Sequence, residues 1–337
     1  MPKVSIIILN FNGIKDTIEC INSVKKISYQ NYNIVLVDNN SNLNDRAVIK
    51  SKYSKDKKIH IIFNDKNLGF SGGNNSGMDY ILKEGISKYI FLLNNDTIVD
   101  SEFLTSIVNK AEKSKNVSTV SPLILNYKDK NIIDNTGVSF FKSGFPLSIN
   151  HNKDINFINN NYPSKLFCAQ GAAMLISVKA LSKIKIKNEY FDNEFFLYNE
   201  ETDLGFRFLH QGFVPYYDSK SIVYHKGYGS KSPLVYYYTL RNYIFVVIKN
   251  YPLKYLIKYS IFILIMHFLL SLLYLKRSGL KFIPIIIKVY IDIFRLLPNM
   301  VYKRNIILSK SVMDSNVLYK YLENKIFPID YLYIIKH

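Results

Sequence analysis

The 337-residue sequence predicts an α/β fold: a mainly parallel, Rossmann-like sheet with helices on both faces, followed by apolar, basic helices at the C-terminal end. Three observations carry that prediction. Short apolar runs alternate with helical patterns through the first hundred residues. Each run ends on Asn or Asp. The last third is both apolar and strongly cationic. Strands that read as near-continuous apolar runs belong to parallel sheets buried on both faces.

In chain order, KVSIIILNFNG (3–13) is a β-branched run that stops on polar residues, and IKDTIECINSVKKI (14–27) spaces its apolar residues as a helix does. YNIVLVDNNS (32–41) is a second strand, NDRAVIKSKYSK (44–55) a helix and KIHIIFND (58–65) a third strand. NNSGMDYILKEGI (74–86) predicts a helix, YIFLLNND (89–96) a strand, and SEFLTSIVNKAEKS (101–114) a helix opened by Ser101. The stretch 126–160, rich in Asn and Lys, reads as an insertion facing an acceptor, and CAQGAAMLISVKAL (168–181) as a strand entering a short helix. Ligands of such sheets bind beyond the carboxyl ends of the strands. The polar ends at Asn10 and Asn12, Asp38 and Asn39, Asp65 and Asn67, and Asn94 to Asp96 therefore form the expected rim of a site.

Charge is unevenly spread. Residues 231–337 hold 16 basic and 4 acidic residues, a net of +12 out of +18 for the chain. A cationic, apolar, tyrosine-rich segment points to an anionic membrane surface. LIKYSIFILIMHFLLSLLYL (256–275) and LKFIPIIIKVYIDIFRLLPN (280–299) are the apolar stretches. Only residues 260–275 are free of charge, short of the roughly 20 a comfortable crossing needs. Basic residues at both ends fit shallow or hairpin-like insertion better than a single span. Two cysteines, Cys20 and Cys168, exclude a disulfide framework and read as buried thiols. Six residues between Lys3 and Asn10 are too few for a signal-peptide core, so a cytosolic catalytic portion is expected.

Four segments carry chemistry. Asp96 ends a buried strand, where a carboxylate is costly unless a cation or hydrogen bonds compensate it. Asn94, Asn95 and Thr97 can donate to it, and a Mg²⁺ or Mn²⁺ ion would take it as a ligand; NNDT is equally a turn into the next helix. NDKNLGFSGGNNSGM (64–78) places Gly69, Gly72, Gly73 and Gly77 just before a helical pattern. Glycines allow close backbone approach, and helix N-terminal amides favour an anion. The segment is neither GxGxxG nor a P-loop, so hydride transfer and ATP hydrolysis have no motif. Glu200, Glu201 and Asp203 crowd three acids into the first turn of a helix, as a general base would require or as an ordinary acidic helix start would show. His225 follows a short strand and precedes a glycine-rich loop, where a metal-bound phosphate can approach.

In this order, VSIIILNFNG, IVLVDNNS, NLGFSGGNNSG, FLLNNDT, FFLYNEETDLGFR, VYHKGYGS and YYYTLRNYIFVVIKN resemble glycosyltransferase family 2, in particular its rhamnosyltransferase-like branch. The resemblance implies a GT-A fold over residues 1–250, a membrane-associating helical region over 251–337, and inverting transfer from a nucleotide-sugar with Mg²⁺ or Mn²⁺. It implies that Asn10, Asn12, Asp38, Asn67, Gly69, Gly72, Gly73 and Asn95 bind the nucleotide-sugar. Asp96 and His225 would hold the metal, Asn94 standing where the family's metal motif has its first acid. Glu201 would be the base, with Glu200 the neighbouring candidate and Asp203 and Arg207 in support. The implied donor is dTDP-rhamnose or a UDP-sugar. The implied acceptor is a saccharide or lipid-linked saccharide of a surface glycan, met on the cytoplasmic side of the membrane. A non-catalytic basic peripheral membrane protein that binds nucleotides or nucleic acid is the alternative, although no nucleic-acid motif is present.

Overall fold

The computed structural model describes residues 1–160, 166–227 and 232–328. The glycine-rich end of VYHKGYGS and the last nine residues of the 251–337 region lie outside them. The elements are β1 (Val4–Asn10), α1 (Ile14–Val24), β2 (Tyr32–Asp38), α2 (Leu43–Tyr53), β3 (Ile59–Phe63), α3 (Gly69–Glu84), β4 (Tyr89–Asn94), β5 (Thr97–Val99), α4 (Phe103–Lys113) and β6 (Val117–Asn126). There follow β7 (Ile133–Asn135), β8 (Val138–Phe140), β9 (Pro146–Ser148), α5 (Asn156–Asn160), β10 (Ala173–Ser177), α6 (Val178–Leu181), α7 (Glu200–His210) and β11 (Val214–His225). Four helices close the described chain: α8 (Pro233–Asn250), α9 (Leu253–Ser278), α10 (Ile283–Ser309) and α11 (Ser315–Lys320).

The main sheet runs β3-β2-β1-β4-β10-β6-β11-β5, with β7 paired to β6. Strands β1 to β4 are parallel, as their apolar runs predict. Strand β10 enters antiparallel between β4 and β6. Alternation along β1 divides the core: Val4, Ile6 and Ile8 face α1 and α4, while Ile7 and Leu9 face the layer that contains α3, α6 and α7.

A third apolar cluster joins β8 to α7, α8, α9, α10 and α11. The packing therefore has no break at residue 250. Charged groups cross the same boundary. Lys249 of α8 and Lys303 of α10 reach the two carboxylate oxygens of Asp192 at 2.6 and 2.5 Å, and Lys249 also reaches Asp203 of α7 at 2.8 Å. All four side chains are buried.

Candidate active site

A cavity of about 630 Å³ opens where β4, β7 and β11 end and α7 begins. Its wall carries Asn94, Asp96, Asp134, Glu200, Glu201 and His225, with Phe70, Leu197 and Tyr198 between them. The rule that ligands meet the carboxyl ends of parallel strands thus locates the concavity.

Register explains why Asp96 and His225 meet. Strand β5 pairs antiparallel with β11, setting Thr97 opposite His225, so the residue before Thr97 faces the imidazole. His225 Nε2 lies 3.3 Å from Asp96 Oδ1, and its Nδ1 lies 2.8 Å from Asp134 Oδ2. Burial alone would lower the His225 pKa, but the hydrogen bonds to Asp134 and Asp96 outweigh it and raise it to about 9. Asp134 also holds His151, whose Nδ1 sits 2.8 Å from the Asp134 carbonyl. Sequence reasoning missed both Asp134 and His151. They come from the Asn- and Lys-rich insertion, which also holds Asp129 and Asp154, and nothing local marks Asp134 as the acid that faces the cavity.

The acids at the start of α7 line the same cavity. Glu200 is buried and its Oε2 has no hydrogen-bond partner. Burial first, and the neighbouring Glu201 second, push its pKa well up. Burial lifts Glu201 to about 7. Asp203 and Arg207 form the expected i,i+4 pair at 2.9 Å, and Lys249 adds a second cation to Asp203.

The glycines require a correction. Helix α3 begins at Gly69, so Gly69, Gly72, Gly73 and Gly77 lie within the helix and not in a loop before it. A Cβ on Gly73 would stand 2.5 Å from Leu9 Cδ1, and one on Gly77 3.0 Å from Ile7. Gly69 has φ +68° and abuts the Phe196 carbonyl. These residues let α3 approach β1 and the Phe196 loop closely. The first-turn amides are also engaged: Gly69 N donates to Asn67 Oδ1, and Ser71 N to the Phe196 carbonyl. The anion-binding helix start expected from the sequence is thus partly filled by the protein itself. Gly72 and Asn67 line a separate cavity of about 470 Å³.

Asn10 and Asp38 lie beneath the rim, both fully buried. Asn10 Nδ2 donates to Asp38 Oδ2 at 3.0 Å, and Asp38 Oδ1 accepts from Ser41 N at 3.1 Å. Asn12 is exposed above them, its Oδ1 accepting from Asn42 N. Asn95 turns away from the cavity and donates to Thr17 Oγ1 at 3.0 Å. Asn39, expected on the rim, is instead a buried hub. It donates to Asn67 Oδ1 and the Gly69 carbonyl and accepts from Asn64 Nδ2 and Leu68 N, fixing the entry to α3.

The hexosyltransferase Agl10 of low-salt glycan biosynthesis in Haloferax volcanii is 28% identical over 209 residues, covering 61% of this chain and 62% of that protein. The chain therefore spans about three fifths of that relative's length. The crystal structure of GalNAc-T7 with UDP, GalNAc and Mn²⁺ superposes with a TM-score of 0.58 at 16% identity, over 76% of this chain and 49% of that one. That of S. aureus TarS 1-349 in complex with UDP gives 0.55 at 17% identity, over 94% and 90%. At such identities the likeness speaks for the fold, which is the GT-A-like arrangement expected. Residues 5–185, more than half of the chain, match the family described as Glycosyl transferase family 2, and the chain belongs to that family.

Proposed function

We propose that this protein is an inverting glycosyltransferase that moves a sugar from a nucleotide-diphosphate donor to a saccharide or lipid-linked acceptor in surface-glycan synthesis. The observation that carries this reading is the cavity itself, which brings a carboxyl poised near neutrality and the Asp96–His225 pair into one lining. Glu201 is the base. With a pKa of about 7 it is ionised in a useful fraction near neutral pH and still accepts a proton. It takes the acceptor hydroxyl proton, the hydroxyl oxygen bonds to the anomeric carbon, and the bond to the diphosphate breaks with its electrons leaving on phosphate oxygen. Glu200, buried beside it and itself raised well above the ordinary carboxylate range, is the neighbouring candidate.

A divalent cation would take a carboxylate oxygen of Asp96 and, on displacing the Nε2 proton that the raised His225 pKa retains near neutral pH, the imidazole nitrogen 3.3 Å from it. Asp96 and His225 would hold Mg²⁺ or Mn²⁺, and Asp134 would keep His225 Nδ1 protonated so that Nε2 faces the ion. When bound, such an ion supplies positive charge for the departing diphosphate. GalNAc-T7, of like fold, was crystallised with UDP and Mn²⁺. The nucleotide lies along the rim formed by Asn12 and the turn that Asp38 braces. Asn67 shapes its edge. We favour a dTDP-rhamnose or UDP-sugar donor.

Helix α9 supports work at a membrane. It is long and apolar enough to cross one, its most apolar 18-residue window having a mean hydropathy of 2.1. Leu253, Ile257, Ile261, Leu264 and Phe268, spaced as one stripe, are each more than half exposed. Lys254, Lys258, Lys276 and Arg277 flank that stripe, the pattern of shallow insertion into an anionic surface.

A panel of nucleotide-sugars with Mn²⁺, read by thermal stabilisation and by transfer, tests the reading. One donor should stabilise the protein by about 2.7 kcal/mol at a hundredfold excess over its Kd, and Asp96→Ala and Glu201→Ala should each abolish transfer. Near-normal turnover in either variant would remove that residue from its role.

A further inference from the structure

The Arg-Asn pair within YYYTLRNYIFVVIKN has no part in the mechanism above, yet it touches the wall that carries the base. Asn242 of α8 is fully buried. Its Nδ2 donates to the carbonyls of Phe195, Leu197 and Tyr198 at 2.9, 2.8 and 2.8 Å. One amide group has two hydrogens, so three carbonyls converge on a fully used donor. Its Oδ1 accepts from Arg241 Nε at 3.1 Å and Nη2 at 2.9 Å, which fixes the amide's orientation. Arg241 Nη2 also donates to the carbonyls of Glu194 and Phe195.

Every one of those five carbonyl contacts falls on the segment just before Glu200 and Glu201. Leu197 and Tyr198 are themselves cavity wall. The backbone there is unusual: Phe196, Tyr198 and Asn199 have φ of 62°, 67° and 66°. Non-glycine residues rarely enter that region, and three within four positions persist only where neighbours over-determine them. Asn199 also occupies the position just before α7, without a side-chain cap, so the backbone conformation of this turn sets the direction in which the first turn of α7 projects its acids. A buried asparagine serving core polarity alone would have no reason to gather its acceptors there.

We propose that Asn242, oriented by Arg241, is a positioning residue for the transfer reaction: it holds the left-handed turn at 196–199 and thereby the aim of Glu201 into the cavity. This rests on Glu201 being the base.

The test uses the full chain and four variants: Asn242→Ala, Arg241→Lys, Tyr243→Phe and Glu201→Gln. Tyr243 is a buried neighbour on α8 whose hydroxyl donates to the carbonyls of Ser143 and Ile263, away from the loop. Turnover is measured with the donor selected by the nucleotide-sugar panel, and binding of UDP and of dTDP with Mn²⁺ by calorimetry. Asn242→Ala should lower kcat about a hundredfold, the cost of a small misplacement of a reacting group. Donor KM and nucleotide affinity should stay within twofold, and the acid limb of the kcat–pH profile should move. Tyr243→Phe should keep kcat and profile. A cooperatively melting Asn242→Ala with wild-type kcat, or with kcat and nucleotide affinity lost in parallel, overturns the proposal. If Asn242→Ala has no cooperative melt, Arg241→Lys is judged by the same split. If Glu201→Gln is inactive while Asn242→Ala turns over normally, only the positioning role falls. If Glu201→Gln remains active, the base assignment falls and the positioning role with it.

Discussion

Replacing Glu201 by Gln should stop the reaction and strengthen the fold, because the wild-type carboxyl ionises where ionisation is costly. Burial raises its pKa from an ordinary 4.5 to about 7. Below pH 4.5 the group is protonated in both folded and unfolded chains and has no effect on stability. Between those values the unfolded chain has released the proton and the folded chain keeps it, so stability falls as pH rises. Above about pH 7 both states are ionised and the whole penalty persists. At about 1.36 kcal/mol per pKa unit, the difference amounts to about 3 kcal/mol. Gln has nearly the same shape and no charge, though its amide needs a partner in the cavity, and a missing hydrogen bond returns about 1 kcal/mol. The variant should therefore be about 2 kcal/mol more stable than wild type near pH 8 and show no advantage near pH 4.5. Urea titrations at the two pH values measure this. The chain has no tryptophan, so circular dichroism is the probe. An equal difference at both pH values, or a variant that still transfers sugar, would refute the reasoning.

Other perturbations give separate readings. Asp134→Asn removes the acceptor that fixes His225 Nδ1, and Mn²⁺ affinity, measured by calorimetry, should fall about 10- to 100-fold. Gly73→Ala drives a methyl against Leu9 and should cost about 1–3 kcal/mol of stability in denaturant titration. Asp192→Asn leaves Lys249 and Lys303 without a shared counter-charge and should cost about 3–5 kcal/mol. The two lysines hold the Asp192 pKa well below the ordinary range despite its burial. Its stabilisation should accordingly be present above the ordinary carboxylate range and lost as pH falls below it, visible as acid unfolding that the Asn variant lacks. Ile257→Glu with Ile261→Glu should release the protein from anionic vesicles in sedimentation, while sparing transfer to a water-soluble acceptor.

Much of the sheet was legible because its strands are buried on both faces, and an apolar run ending in Asn or Asp is a local pattern. The site was legible in pieces only. Asp96 and His225 lie far apart in sequence, and what joins them is the β5–β11 register, which neither segment encodes alone. Asp134 was hidden for the same reason: it reaches the cavity because β7 pairs with the far end of β6. The glycines misled in a different way. Four in nine residues look like a loop, yet Gly69, Gly73 and Gly77 stand four apart, the spacing of one helix face. That periodicity was readable and was outweighed by composition. Asn242 carried no local signal at all, since its acceptors are backbone carbonyls more than forty residues away.

The lysines shared between α8 and α10 bear on how this protein can be handled. Removing the apolar helices is the usual route to a soluble fragment of a membrane-bound enzyme. Here a chain cut after α8 would lose Lys303 and leave Asp192 with Lys249, a cation it already shares with Asp203 on the helix of the candidate base. It would also bare the apolar surface of α8 that α10 covers. Trimming the helices that follow α8 should therefore yield an insoluble or inactive remnant, and the chain with α9 and α10 kept is the better preparation.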